Sequence, residues 1–395
     1  MQASPFGTTV KDFRDGAPRV LRFDPLLALA AIGLVACSVY TLKTATADDI
    51  PGSPNHYVIR QAIYAGVGIV VMLLVSRIDY SRLRELRVGV YALMIGAIVS
   101  VILIGTAVRG TRRSVELPFF TIQPSELGKV LLVVALAGFL VSRVRHLGEK
   151  ETTSRILLLA LFPAMLVIIQ PDLGSGLVYV AIAVTLLFVA GTKWTHFAVL
   201  GGMAVAATVL ALAVAPAVGV DVLKPYQVDR LTAFVSPTDD PREQGYQLKQ
   251  SITAIGAGQK TGRGDEATQT KLDFLPEHHT DFVFSVVGEE FGFMGAAIVL
   301  SLFALLIWRS LRILTMAKNL YGALIAGGVT AMLMFQLIVN AGMTVGLMPI
   351  TGVPLPLMSY GGSSVLSTFL AIGLLQSVYA QARETQAAKG RELLL

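Results

Sequence analysis

Arg155-Ile-Leu-Leu-Leu-Ala-Leu-Phe-Pro-Ala-Met-Leu-Val-Ile-Ile-Gln-Pro-Asp-Leu-Gly-Ser-Gly-Leu-Val-Tyr-Val-Ala-Ile-Ala-Val-Thr-Leu-Leu-Phe-Val189 decides the fold class. Its two apolar runs, 155–169 and 174–191, reach with a few flanking residues the roughly 17–25 residues that a helix needs to cross a bilayer. Between them Gln170-Pro-Asp leaves room only for a turn, so the chain crosses and immediately crosses back. Similar runs recur on both sides, at 26–42, 58–76, 88–107 and 127–143, then at 197–217, 283–308, 321–345 and 363–380. The expected fold is an all-α integral membrane protein of about ten transmembrane helices. One transmembrane domain, 1–395, accounts for the whole chain, with tails at 1–25 and 381–395 and a long loop at 218–282.

Composition agrees. Of 395 residues 54% are hydrophobic and 15% charged, with a mean hydropathy of +0.67. A soluble domain carries roughly 25% charged residues, so most of this surface faces something apolar. No cleavable signal peptide is expected, because the first apolar run follows a polar tail and lacks a small-residue cleavage site. Cys37 is the single cysteine, which excludes an internal disulfide and cysteine-clustered metal sites. The net charge of +6 is topological rather than a sign of nucleic-acid binding, since no basic stripe with interleaved aromatics is present.

Short loops rich in Lys and Arg stay in the cytoplasm. Arg14, Arg19 and Arg22 in the tail, the 77–87 and 143–155 segments, Arg309, Arg312 and Lys318, and the tail residues Arg383 and Lys389 all fall on one side. Both termini are therefore expected inside, which ten spans satisfy. Two features depart from the pattern. The 218–282 loop is expected outside and to carry short amphipathic helices at 228–235 and 246–255; loops this long are usually functional. Arg109, Arg112 and Arg113 fall in a short outer loop where cations are disfavoured, as though something anionic awaited them there.

Ionisable residues at membrane depth are costly and suggest function. Four clusters qualify, all at outer helix ends. Gly110-Thr-Arg-Arg-Ser leads into Gln123-Pro-Ser-Glu-Leu-Gly-Lys, where Glu126 and Lys129 share a helical face; the plainer reading is a self-neutralising ion pair. Gln170-Pro-Asp-Leu-Gly places Asp172 at a helix start, where it can simply cap free N–H groups. Leu275-Pro-Glu-His-His-Thr-Asp-Phe places His279, Thr280 and Asp281 at the mouth of a long apolar helix, with Ser285 and Gly288 continuing a small-residue strip that would leave space beside the carboxylate. Asp281 suits a general base, with a helix cap formed by Thr280 or Asp281 as the plainer alternative. Asn340 to Ser364 is dense in Gly, Pro, Ser and Thr, includes Ser359, Tyr360 and Ser363, and reads as an irregular outer segment offering uncharged donors.

The order and spacing of Gln123-Pro-Ser-Glu, Gln170-Pro-Asp-Leu-Gly, Gly245-Tyr-Gln, Leu275-Pro-Glu-His-His-Thr-Asp-Phe and Pro354-Leu-Pro-Leu-Met-Ser-Tyr-Gly-Gly-Ser-Ser resemble the SEDS family (shape, elongation, division and sporulation proteins) over nearly the whole chain. The elongation branch, RodA, fits better than the division branch, FtsW, on the short N-terminal tail, on Thr268-Gln-Thr and on the wording of the final loop. The resemblance implies an inverting glycosyltransferase of the bacterial plasma membrane that polymerises lipid II into β-1,4 glycan strands and releases undecaprenyl pyrophosphate. It implies a class B penicillin-binding protein and the elongation machinery as partners. It also matches the family's essential aspartate to Asp281, and its arginine, glutamate and lysine to Arg113, Glu126 and Lys129. The family's usual Trp after that arginine is Ser114 here. Arg109, Arg112, Arg113 and Lys129 would stabilise the departing pyrophosphate, and a divalent cation, Mg or Mn, is compatible with that role although no motif fixes one. A lipid II flippase is the rival reading, and a catalytically silent scaffold is a third.

Overall fold

The computed structural model describes residues 23–47, 49–108, 111–117, 120–217, 227–228, 230, 233–234, 244–272 and 274–392. In lipid only a structure that satisfies its own backbone hydrogen bonds can span, and the apolar runs accordingly form helices. These are α1 (Pro25–Ala45), α2 (His56–Ser76), α3 (Arg87–Ile104), α4 (Pro124–Ser142), α5 (Lys150–Ile169), α6 (Leu173–Val189) and α7 (Trp194–Val209). After the connecting helix α8 (Gln244–Gly258) come α9 (Val283–Met316), α10 (Leu320–Thr344) and α11 (Gly362–Glu392). Among the described residues eight helices are long and apolar enough to cross a membrane, and two shorter apolar helices lie at Arg87–Leu103 and Leu173–Val189. All ten expected spans are helical.

Helix starts are marked as the sequence suggests. Asp24 accepts from the N–H groups of Leu26 and Leu27 with Pro25 at the first position, and Asn319 accepts from Gly322 N–H. The expected third span runs past its helix: α3 stops at Ile104, Gly105 is extended, and β1 (Thr106–Val108), β2 (Thr111–Leu117) and β3 (Phe120–Ile122) follow as an antiparallel sheet in the order β1-β2-β3. Ser114 pairs with Thr106, and Val115 with Ile122. The β-branched Thr106, Val108, Thr111, Val115, Thr121 and Ile122 favour strand over helix, a local preference that an all-α reading passed over. Of the two amphipathic helices expected in the long loop, the second is α8; the first falls largely outside the described residues.

The interior is built from α4, α10 and α11, with Leu132, Val133, Leu136, Leu324, Val329, Leu333, Phe369, Ile372 and Leu375 all buried. By contrast α7 is buried only at His196 in its first turn, where Nδ1 lies 2.7 Å from Thr153 Oγ1. At the end of the bundle where the chain enters α1, Arg309 is no surface charge of the positive-inside kind. Its Nε donates to Asp24 Oδ2 at 2.8 Å, and Gln376 brackets Asp24 by accepting from its N–H and donating to its carbonyl. A buried arginine paired in this way joins α1, α9 and α11.

The other end is set by contacts between backbones. Gly258 of α8 lies against the carbonyl oxygen of Gly288 in α9, and Gly262 against that of Glu290. At Gly292 α9 kinks, with φ 62° and ψ −158°, where the backbone of Gly258 and Thr261 approaches within van der Waals distance of any added carbon. Glu289, fully buried, accepts from the N–H groups of Gln269 and Thr270 and from Thr270 Oγ1, ordering the segment after α8. Because a Cβ at Gly258 would run into backbone rather than a movable side chain, Gly258→Ala is expected to destabilise the protein by about 1–3 kcal/mol. Gly256, two residues earlier, faces open space, so Gly256→Ala should leave stability level or raise it by about 0.5–1 kcal/mol. Thermal unfolding of both variants in detergent compares them directly.

Candidate active site at the loop-rich end

Alternation of the spans brings the 46–55 connection, the β-sheet, the 170–172 turn, the 274–282 segment and the 345–361 segment to one end of the bundle. The last is irregular, yet Val353, Leu355, Leu357 and Met358 are almost wholly buried. Buried non-helical backbone needs partners, and side chains from the spans supply them. Asn340 of α10 donates through Nδ2 to both Asp281 O and Val353 O, each at 2.8 Å. Ser38 Oγ donates to Met358 O at 2.6 Å, and Gln61 Nε2 donates to Ser38 Oγ and to Ser359 O.

Asp281 lies in this frame, in the turn before α9 and partly exposed. The helix begins two residues later and Phe282 is its cap position without a side-chain bond, so the capping alternative for Thr280 and Asp281 does not hold. Gly352, with φ +72°, faces Asp281 Oδ2 and Arg230 Nη2, both within 4 Å of where its Cβ would stand. Arg230 Nη1 also donates to Thr351 O at 3.0 Å. Only glycine leaves that gap clear in this conformation.

Other candidates divide by role. Thr280 Oγ1 donates to Glu277 Oε2, and its carbonyl accepts from Ser359 Oγ at 2.6 Å; Ser359 Oγ in turn accepts from Leu355 N–H. His279 accepts at its carbonyl from Tyr360 N–H at 2.9 Å, and its ring packs on Tyr57 with centroids 4.8 Å apart. Burial pushes the Tyr360 phenol up to about 12, with Tyr64 adding and Arg60 opposing, so the hydroxyl stays neutral at ordinary pH. Ser363 Oγ donates to Thr121 O and accepts from Gln123 N–H, tying the sheet to α11. Ser285 is fully buried, its Oγ 2.6 Å from Ser251 Oγ. The space expected beside Asp281 along Ser285 and Gly288 is filled by α8, whose small residues let it dock there.

Glu126 and Lys129 form a buried pair at 2.5 Å, 3% and 1% exposed. Asp172 caps α6 through Ser175 N–H, and its other oxygen accepts from Ser125 Oγ at 2.9 Å and Gln123 Nε2 at 3.2 Å. Gly174 rests on Thr351 O and Val353. A continuous path of contacts thus links the Glu126 helix, Asp172, the 351–353 segment, Arg230 and Asp281. Arg112 and Arg113 lie in β2, their side chains outside what is described, and Arg109 lies outside the described residues.

Sequence reasoning missed Arg230, Gln61 and Ser38. Gln61 was legible as a lone amide in an apolar span; Arg230 carried no signal of its own beyond its place in the long loop. A half-open groove of about 690 Å³ at the opposite end, lined by Arg77, Asp79, Lys318, Gln381 and Glu384 among others, is remote from all of these residues.

A polytopic helical membrane protein with a partly exposed carboxylate in a loop frame at one bundle end is the class these features define. The family described as cell cycle protein, that of FtsW, RodA and SpoVE, matches residues 21–384, and the chain belongs to it. It is 34% identical to stage V sporulation protein E of Bacillus subtilis over 93% of this chain and 98% of that protein. It is 38% identical to a probable peptidoglycan glycosyltransferase FtsW of Thioalkalivibrio sulfidiphilus over 91% and 89%. Among solved structures, a chain of a peptidoglycan synthase complex that coordinates polymerization and crosslinking matches with TM-score 0.78 and 31% identity, over 92% of this chain and 99% of that one. The rod shape determining protein RodA of Thermus thermophilus matches with TM-score 0.64 and 28% identity over 92% and 98%.

Removing one partner of a buried ion pair leaves the other charge stranded and typically costs about 3–5 kcal/mol. Glu126→Gln and Lys129→Met are each expected to lower thermal stability, and the double variant to recover it. If the pair is purely structural the double variant also recovers glycan polymerisation. We expect it stable and inactive, with polymerisation rate and thermal unfolding measured side by side on all three.

Proposed function

We propose that this chain is a peptidoglycan glycosyltransferase that polymerises lipid II into β-1,4 glycan strands and releases undecaprenyl pyrophosphate, for cell elongation and shape. The observation that carries this reading is Asp281, a partly exposed carboxylate that, like Arg230, borders the gap kept clear by Gly352 in a rigidly bonded loop frame. The relatives supply the reaction class through their names. The elongation role rests on the Thr268-Gln-Thr run and the wording of the final loop, with the likeness to RodA in support; the two sequence relatives quoted are an FtsW and stage V sporulation protein E.

The donor sugar is α-linked to pyrophosphate and the product is β-linked, so a single inverting displacement is the economical route. The acceptor hydroxyl oxygen forms the new bond to the donor anomeric carbon as the bond to pyrophosphate breaks. Asp281 takes the hydroxyl proton, and the undecaprenyl pyrophosphate departs with the bonding electron pair. Charge developing on the leaving group is stabilised by fixed cations, for which Arg230, Arg109, Arg112, Arg113 and Lys129 are the candidates. The polyprenyl chain would lie along lipid-facing helix surfaces such as that of α7. The basic loops support a site outside the cell and both termini in the cytoplasm. A class B penicillin-binding protein is the proposed partner, in keeping with the complex whose chain this one resembles.

Asp281→Asn keeps shape but cannot accept the proton. Polymerisation of labelled lipid II by the purified protein should fall by on the order of 10²–10⁴-fold, with thermal stability little changed; near-parental turnover would reject Asp281 as the base.

Arg113→Lys should impair turnover almost as much as Arg113→Ala, because an ammonium cannot reproduce the bidentate grip of a guanidinium on phosphate. Lipid II affinity and rate for both variants provide the check, and parental values in both would remove Arg113 from the pyrophosphate site.

A further inference from the structure

The geometry points to a divalent-metal site formed by Asp49, His278 and His279, selective for a borderline transition ion of the zinc class rather than magnesium. The three residues come from two segments. Asp49 lies in the 46–55 connection between α1 and α2, and the histidines lie in the 274–282 segment that carries Asp281. One ligand atom from each falls within 4.8 Å of the others. His278 Nε2 and Asp49 Oδ2 are 3.2 Å apart. Two ligand atoms at about 2.0–2.2 Å from a tetrahedral zinc stand roughly 3.3–3.5 Å apart, so this pair is already spaced to share an ion.

The histidine ring is held for that task. His278 is buried, and its Nδ1 lies 2.9 Å from Leu275 O. A carbonyl there calls for a proton on Nδ1, which in the neutral ring turns the Nε2 lone pair toward Asp49. A backbone carbonyl orienting one ring nitrogen while the other binds metal is the usual arrangement at metal-ligating histidines. His279 stands edge-on to it, the ring centroids 5.1 Å apart, and is backed by Tyr57. A ligand set of two imidazoles and one carboxylate suits zinc, with manganese weaker, and is a poor match for magnesium, which prefers oxygen alone.

The consequence is positional. Asp281 is three residues beyond His278, and the intervening backbone is bonded to Ser359 and Tyr360. An ion at this place would fasten the 46–55 connection to the segment that presents Asp281. The inference stands apart from the glycosyl-transfer reading, since metal binding is measured without turnover.

The test uses the full chain, purified without a polyhistidine tag and stripped with chelator, then titrated with Zn²⁺ and with Mg²⁺ against a competing chromophoric chelator. One Zn²⁺ per chain is expected, with a rise in thermal unfolding temperature that Mg²⁺ does not reproduce. Co²⁺ should give the visible absorption of a four-coordinate ion. Asp49→Asn, a change in an exposed loop that should fold normally, and His279→Ala should each weaken Zn²⁺ at least about tenfold and abolish the Co²⁺ spectrum. His146→Ala, at the exposed His146–Glu149 pair elsewhere, should change neither. No stoichiometric Zn²⁺ binding, or binding that survives both Asp49→Asn and His279→Ala, overturns the site and leaves Asp49 and His278 as an ion pair.

Discussion

One buried amide holds the candidate site together. Asn340 donates both of its side-chain hydrogens, one to the carbonyl of Asp281 and one to that of Val353. These carbonyls belong to segments that leave helical geometry where the protein is otherwise packed with apolar side chains, and an unsatisfied carbonyl there costs about 1–3 kcal/mol. The same need recurs along 345–361, met by Ser38, Gln61 and Ser359 in turn. Irregular backbone is tolerated at such depth only where protein covers it, so the polar residues of otherwise apolar spans are what allow a loop, and hence Asp281, to be there at all.

Charge is handled in the same economical way at both ends of the bundle. At the end where α1 begins, Asp24 and Arg309 are buried together and bracketed by Gln376. At the other end Glu126 and Lys129 are buried together. The two pairs differ in what surrounds them. Asp24 accepts from backbone and side-chain donors on three helices and is fully enclosed, whereas the Glu126 helix stands one contact away from Asp172, itself next to the 351–353 segment that borders Asp281. The first arrangement fastens helices and the second adjoins a partly exposed carboxylate.

The spans were readable from the sequence because bilayer thickness imposes a length and an apolar content that few other folds share. Asp281 was readable as a carboxylate at the mouth of an apolar helix, and the Glu126–Lys129 pairing followed from three-residue spacing. The sheet was not, since strands of three to seven residues leave no span-scale signal and lie beside a long apolar run that dominates the pattern. Arg230 and the filling of the Ser285–Gly288 strip were hidden for another reason. Both depend on where distant segments dock, and the docking of α8 rests on glycines whose contribution is the absence of a side chain.

That docking bears on the choice between an enzyme and a transporter. A carrier must open a path from one face to the other, past groups that rearrange. Here a charge pair fastens α1, α9 and α11 together at the end containing Asp24, and α9 is clamped at its other end by α8 and the turn after it through contacts between backbones at Gly258 and Gly262. Backbone-to-backbone contacts have no rotamers to yield, so α9 is better suited to hold Asp281 still than to rock. A carboxylate held in place beside Gly352 suits the proton transfer proposed for Asp281, and it favours chemistry at one end of the bundle over passage through it.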